Sequence, residues 1–269
     1  PTSEICLMKW ECGDEVTNSK IEWTESTWNP ITGCSKISEG CEHCYAERMV
    51  KRFPNIYPNG FKPTFHEKRL SDPLKWKKPR RIFVCSMGDL FHEDVPMEWI
   101  YRVFNVMKWS PQHTFLLLTK RPARAKAVLE TLMHFYYPEE SDPISAYFPH
   151  VSLGVTIELS SYRYRAITLL NTHIAHRFVS LEPLLGPIKI DSFIWNRSID
   201  KDFIEWVIVG GETGPGAREM KPEWVRDIRD TCADFGVPFF FKKWGGARRS
   251  ENERLLDGRE WNEFPEVMR

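Results

Sequence analysis

Phe115-Leu-Leu-Leu-Thr-Lys-Arg-Pro122 sets the rhythm of this chain. Four consecutive apolar residues stop abruptly at Thr119, Lys120 and Arg121, and a helical stretch, Ala123 to His134, follows. A short continuous apolar run is the pattern of a strand buried on both faces, which a parallel sheet covered by helices requires. The unit recurs in both directions. Upstream, Ile82-Phe-Val-Cys85 precedes a helix beginning near Pro96. Downstream come Val151 to Thr156 with helix Tyr162 to Leu170, then Arg177 to Leu181, then Trp206 to Val209 with helix Glu223 to Phe235, and Pro238 to Phe241 last. A short strand over Trp28-Asn-Pro-Ile-Thr-Gly33 makes seven. The pattern predicts an α/β fold, a partial or full parallel β/α (TIM-like) barrel in one domain, in preference to an open doubly wound sheet. The expected boundaries are an N-terminal leader over 1–22, the barrel over 23–246 and a C-terminal tail over 247–269. Residues 54–80 read as a long irregular loop. The link from Leu181 to Trp206 is broken by Gly186-Pro187 and Trp195-Asn196.

Composition narrows the function. Of 269 residues, 42% are hydrophobic, enough for a substantial core, and 37 basic residues balance 37 acidic ones, which excludes a global polyanion-binding charge. A nucleic-acid contact would have to be local, and Lys75-Trp-Lys-Lys-Pro-Arg-Arg81 is the candidate, its plain alternative being a solvated loop. No apolar run reaches the roughly 20 residues that span a bilayer, and the first ten residues lack signal-peptide character. The expectation is a soluble cytoplasmic protein with no membrane association.

Seven cysteines in a chain of this size argue against a disulfide framework. Three cluster in Cys34-Ser-Lys-Ile-Ser-Glu-Gly-Cys41-Glu-His-Cys44, directly before a helix-forming run from Tyr45 to Arg52. Three thiolates leave one coordination position of a metal open, as catalytic metals require. Cys232 reads as core, Cys6 and Cys12 as part of the leader, and Cys85 as a strand residue that is also the best candidate for a fourth ligand.

In a parallel barrel, chemistry collects at the C-terminal ends of the strands. Those ends are the cysteine loop, Cys85-Ser-Met-Gly-Asp89, Thr119-Lys-Arg-Pro122, Thr156-Ile-Glu158, Glu182-Pro183, Gly210-Gly-Glu-Thr-Gly-Pro-Gly216 and Lys242-Lys-Trp-Gly-Gly246. Charged and glycine residues at every end describe an active-site rim. Lys120 and Arg121 need a reason to sit at a helix start, where a cation opposes the dipole. The glycine-rich 210–216 loop matches neither a dinucleotide fingerprint nor a P-loop.

Trp28-Asn-Pro-Ile-Thr-Gly-Cys34, Gly40-Cys-Glu-His-Cys-Tyr-Ala-Glu47, Val84-Cys-Ser-Met-Gly-Asp-Leu-Phe91, Leu118-Thr-Lys-Arg-Pro122, Leu181-Glu-Pro-Leu-Leu-Gly-Pro187, Val209 to Arg218 and Pro238-Phe-Phe-Phe-Lys242 with Trp244-Gly245 together resemble a phage and bacterial three-Cys-motif family of unknown function, described as radical-SAM-like. The resemblance covers about Ile21 to Gly246. It implies a [4Fe–4S] cluster on Cys34, Cys41 and Cys44, with S-adenosylmethionine bound at the open iron and cleaved reductively. It further implies that His43 packs near adenine, that Ser86, Met87, Gly88 and Asp89 contact the methionine amino group, and that Glu158 or Glu182 meets the ribose. Gly210 and Gly211 would approach the cofactor, and Lys120, Glu182, Glu212 and Lys242 would form the catalytic set. The substrate is unidentified, with a nucleic-acid-derived molecule as the candidate. The implied partners are a three-Cys-motif partner protein, nucleic acid and an electron donor. The sequence departs from the usual C-x3-C-x2-C in its first gap of six residues, which lengthens the loop at small entropic cost. The alternative is a zinc-binding barrel without catalysis, with Cys85 or a histidine as fourth ligand, and a hydrolytic carboxylate barrel is a third reading.

Overall fold

Apolar runs followed by amphipathic helices produce seven parallel strands laid down in chain order. The computed structural model describes residues 19, 21–137, 144–194, 203–248 and 253–268. In chain order the elements are β1 (Ser26–Trp28), β2 (Ile31–Thr32), α1 (Tyr45–Arg52), β3 (Thr64–Phe65), α2 (Glu67–Leu70), α3 (Asp72–Lys75), β4 (Arg81–Val84), α4 (Met97–Lys108), β5 (Thr114–Thr119), α5 (Pro122–Thr131), α6 (Ile144–Tyr147), β6 (Val151–Thr156), α7 (Tyr164–Leu170), β7 (His176–Leu181), α8 (Asp191–Ile194), β8 (Trp206–Gly210), α9 (Pro222–Phe235) and β9 (Phe239–Lys243). The main sheet runs β1-β4-β5-β6-β7-β8-β9, every pair parallel. The first and last strands do not pair with each other, so the barrel is partial.

Alternation along the strands separates two cores. Ile82, Phe115, Leu117, Leu153, Val155, Val179, Leu181, Val207, Val209, Phe239 and Phe241 face the helices and join one large cluster with α4, α5, α7 and α9. Their neighbours Phe83, Leu116, Phe178, Trp206, Ile208 and Phe240 form a second cluster inside the barrel with Trp23 and Met268. Trp23 stacks 4.7 Å from Phe83, and Phe264 lies 5.2 Å from Trp206, so both ends of the described chain plug the barrel floor. Further up the same inward-facing positions the side chains become polar: Thr156, Ser180 and Lys242. An apolar floor beneath a polar mouth is therefore written into the strands themselves.

Several expectations shift. The first barrel strand stops at Trp28, because Pro30 has no N–H to donate to a ladder. Residues 31–32 instead pair antiparallel with β3. Residues 54–80, expected to be irregular, contain β3 and the one-turn helices α2 and α3. The helix after β5 leaves α5 through a π-type turn, Leu132–Tyr136, and that after β6 opens with a 3-10 turn, Ser160–Tyr162. α9 ends where expected, at Gly236, which takes φ 65°. Within the expected leader, Glu22 forms an ion pair with Lys243 at 2.5 Å. Cys6 and Cys12 lie outside the described residues. The expected tail is docked: Phe241 N donates to Trp261 O and Glu263 N to Phe239 O, so it runs antiparallel along β9. Among the described residues no helix is long and apolar enough to cross a membrane.

Candidate active site at the barrel mouth

The cysteine loop crosses the C-terminal mouth of the barrel, and each of its turns is tied to a different strand end. Gly33 N donates to Met87 O and Cys34 N to Phe61 O, which fixes the start of the loop beside the β4 end. Ser35 Oγ lies 2.8 Å from His92 Nε2 and accepts from Arg121 Nη2 at 2.9 Å. Ser38 Oγ donates to Glu158 at 2.5 Å, and Tyr162 Oη donates to Glu39. The six-residue gap is thus a strap fastened at Ser35, Ser38 and Glu39, while four of its six residues, Ser35, Lys36, Ile37 and Glu39, are exposed. Gly40 lets the strap pass directly over β6, since a Cβ there would come within 2.4 Å of Glu158 Cγ.

Cys34, Cys41 and Cys44 carry free thiols and all line one cavity of about 410 Å³. Burial and the Asp89 carboxylate push the Cys34 thiol up to about 11 despite the Arg121 guanidinium. Burial alone would also raise Cys41, but Lys120 and hydrogen bonds from the Ile37–Ser38 segment hold it below its ordinary value. Among the described residues no three His, Cys, Asp or Glu side chains gather around a single ion position. Cys85 is buried with its thiol pushed up to about 12, chiefly by desolvation, in a left-handed backbone conformation at φ 57°. Cys232 is fully buried in the helix-facing core, as expected.

The other predicted residues divide by position. His43, Ser86, Gly88, Asp89, Lys120, Glu182, Gly211, Glu212 and Lys242 line the same cavity; Met87, Glu158 and Gly210 do not. Glu158 is fully buried, held by Arg165 Nη1 at 2.7 Å and Lys120 Nζ at 3.5 Å, and so fastens the strap rather than facing a ligand. Met87 contributes its backbone, accepting from Gly33 and donating to Asn29 Oδ1 at 2.9 Å. Gly210 makes room for a carboxylate, because a Cβ there would stand 2.6 Å from Glu182 Oε1. Asp89 is also committed, accepting from Thr119 Oγ1 at 2.9 Å, Phe91 N at 3.0 Å and Arg121 Nη1 at 3.2 Å.

Two more groups complete the mouth. Glu212 accepts from Arg218 Nη2 at 2.6 Å and Nε at 2.9 Å and faces His43 Nδ1 at 3.1 Å. Burial would raise its carboxyl, but the Arg218 hydrogen bonds, with His43 adding to them, bring it to about 2. On β9, register slips between Val209 and Gly210, so that Val209 faces Phe241 and Gly210 faces Lys243. The bulge turns two consecutive lysines toward the cavity, each onto a carboxylate: Lys242 to Glu182 at 2.9 Å and Lys243 to Glu22 at 2.5 Å. Lys243 belongs to the expected strand end, but lysines facing the cavity from adjacent strand positions contradict simple alternation, and Glu22 lies in the expected leader, beyond the reach of sequence pattern. Arg121 was legible only as a cation at the wrong helix end. The basic stretch Lys75 to Arg81 sits at the N-terminal end of β4, and none of its residues lines the cavity.

The fold is a partial parallel β/α barrel with a cysteine loop after its first strand. Two solved structures share it. A spore photoproduct lyase complexed with dinucleoside spore photoproduct superposes with a TM-score of 0.52 at 9% identity, covering 85% of this chain and 78% of the lyase. A cysteine-to-serine mutant of spore photoproduct lyase gives 0.51 at 10% identity, covering 86% and 80%. The chain itself belongs to the DUF5131 family, proteins of unknown function, whose profile matches residues 18–265. No curated protein matches it.

Proposed function

We propose that this chain is a radical-SAM-like iron–sulfur enzyme. Cys34, Cys41 and Cys44 would hold a [4Fe–4S] cluster, and S-adenosylmethionine would occupy the cavity beneath. The observation that carries the reading is that all three thiols, brought by one fastened loop, line a single cavity of about 410 Å³ at the C-terminal mouth of a partial barrel. That volume lies within the range of cavities that enclose small organic ligands, roughly 300–1,000 Å³. When bound, the cluster supplies the electron that cleaves S-adenosylmethionine reductively to start hydrogen abstraction.

The chain's own residues then take defined parts. Ser86 and Gly88 offer polar and backbone groups where the methionine end would lie, while Asp89 holds Thr119 and Arg121 in place. Of the two carboxylates considered for the ribose, Glu182 faces the cavity and Glu158 is spent on the strap. His43, 3.1 Å from Glu212, would pack against adenine. Lys120, Lys242 and Glu212 complete the polar wall that would orient a substrate. A nucleic-acid-derived substrate remains the proposed class, as does reduction by an electron donor in the cytoplasm and association with a three-Cys-motif partner protein. The dinucleoside named for the lyase complex is of the same chemical kind.

The test is anaerobic purification followed by iron and sulfide analysis, then electron paramagnetic resonance of the reduced protein with and without S-adenosylmethionine. The expected result is about four irons and four sulfides per chain, a signal altered by S-adenosylmethionine, and 5′-deoxyadenosine on reduction. Stoichiometric zinc from the same preparation overturns the cluster. An unaltered signal overturns cofactor binding.

A further inference from the structure

We propose that Arg121 is a positioning residue that raises the reduction potential of the iron–sulfur site by donating a charge-assisted hydrogen bond to the Cys34 sulfur. The inference rests on the reading that Cys34, Cys41 and Cys44 hold a cluster.

Arg121 is 6% exposed and fully engaged. Its backbone N donates to Thr119 Oγ1 at 2.9 Å, and its Nε donates to Glu93 at 2.7 Å. Nη1 reaches Asp89 at 3.2 Å and Cys34 Sγ at 3.4 Å, while Nη2 reaches Ser35 Oγ at 2.9 Å and Ser35 O at 3.3 Å. Were Arg121 only the counter-ion of Asp89, its fork would end at that carboxylate. Instead both terminal nitrogens continue into the cysteine loop. The guanidinium meets five acceptor atoms at once through Nε, Nη1 and Nη2, more than the three N–H donors of a lysine ammonium can serve.

The cysteines are not equivalent in this respect. Cys41 meets the neutral hydroxyl of Ser38 at 3.5 Å, whereas Cys34 meets a guanidinium. A cluster gains negative charge on reduction, and a cation hydrogen-bonded to one of its sulfurs stabilises the reduced form more than the oxidised one. Burial keeps that preference from being screened by solvent. The cost of a cation immediately before α5, against the helix dipole, is offset by this role. Thr119 fixes the Arg121 backbone, and Asp89 and Glu93 hold the guanidinium, so its distance to the sulfur is set by the strand ends that carry them.

The test uses the full chain in four forms: wild type, Arg121→Lys, Asp89→Asn, and the paired variant Arg121→Met with Asp89→Asn, so that the last two differ only at position 121. Each is loaded anaerobically with iron and sulfide, analysed for cluster content, and titrated potentiometrically by electron paramagnetic resonance. The expected result is normal loading, with the paired variant about tenfold harder to reduce than Asp89→Asn, which for one electron is about 59 mV, and Arg121→Lys displaced from wild type in the same direction by less. A loaded paired variant with the potential of Asp89→Asn overturns the inference, as does poor loading in which the clusters that do form titrate like that reference. If the wild-type chain takes up no iron and sulfide, the cluster reading fails first and this inference falls with it.

Discussion

Lys242 Nζ stands 2.9 Å from Glu182 Oε1 although the two residues come from strands separated by β8. The contact exists because the bulge opposite Val209 and Gly210 gives β9 an extra residue and because Gly210 leaves space for the carboxylate. Ser180 Oγ donates to the other carboxylate oxygen at 3.1 Å. Burial would lower the Lys242 ammonium, yet Glu182 keeps it above its ordinary value.

Breaking that pair leaves a half-buried charge unpaired. Lys242→Met and Glu182→Gln should each destabilise the fold by about 1–3 kcal/mol. The double variant should recover part of the loss, since no charge is then stranded. Urea denaturation of the four forms measures the coupling; strictly additive losses would show that the contact carries no energy.

Gly40→Ala should damage the site while sparing the barrel. The new Cβ would meet Glu158 at 2.4 Å, and Glu158 cannot retreat because Arg165 grips its other oxygen at 2.7 Å. The strap would have to lift. Iron loading should fall several-fold with the far-ultraviolet circular dichroism unchanged; normal loading would mean that the strap adjusts locally.

Acid should loosen the Glu212 network in a defined window. Its carboxyl titrates at about 2 in the fold against 4.5 ordinarily. The stability it contributes is complete above about 4.5 and is lost as pH falls from there through about 2. Glu212→Gln removes that contribution, so the stability gap between wild type and variant should be widest near neutrality and shrink below pH 4.5. A gap that stays constant from pH 6 to pH 3 would contradict the assignment.

Cys85→Ala separates a zinc site that uses Cys85 from a cluster on the three loop cysteines. A zinc site with Cys85 as fourth ligand loses its metal in this variant. A cluster on the three loop cysteines keeps its iron and sulfide, and the variant should show only the modest cost of a small buried cavity, on the order of 1 kcal/mol.

The barrel was legible because parallel strands buried on both faces leave continuous apolar runs, and Phe115–Leu118, Val151–Thr156 and Trp206–Val209 are such runs. Their charged ends located most of the cavity wall for the same reason. The two-residue strands at 31–32 and 64–65 and the single-turn helices α2 and α3 left no trace, being shorter than any period. Glu22 and the docked tail escaped for a different reason. Glu22 meets Lys243 across 221 positions of chain, the tail folds back along β9, and nothing local in the sequence records such contacts. Glu158 illustrates the limit at a single residue. Its place after β6 was readable, but whether it faced the cavity or the strap depended on Gly40, Ser38 and Arg165.

The docked tail has a consequence for how the protein behaves in solution. β9 carries three consecutive phenylalanines, and one of its edges has no neighbouring barrel strand, since the sheet ends there. Trp261, Asn262 and Glu263 occupy that edge through Phe241 N to Trp261 O, Glu263 N to Phe239 O and the Phe240–Asn262 bridge. Removing residues 247–269 would expose an apolar ladder ready to accept a strand from a second molecule. Such a truncation should precipitate or elute as large oligomers on size-exclusion chromatography, while the full chain stays dispersed. That outcome would make the docked segment a guard against self-association; a truncated chain that stays monomeric would show that the open edge needs no cover.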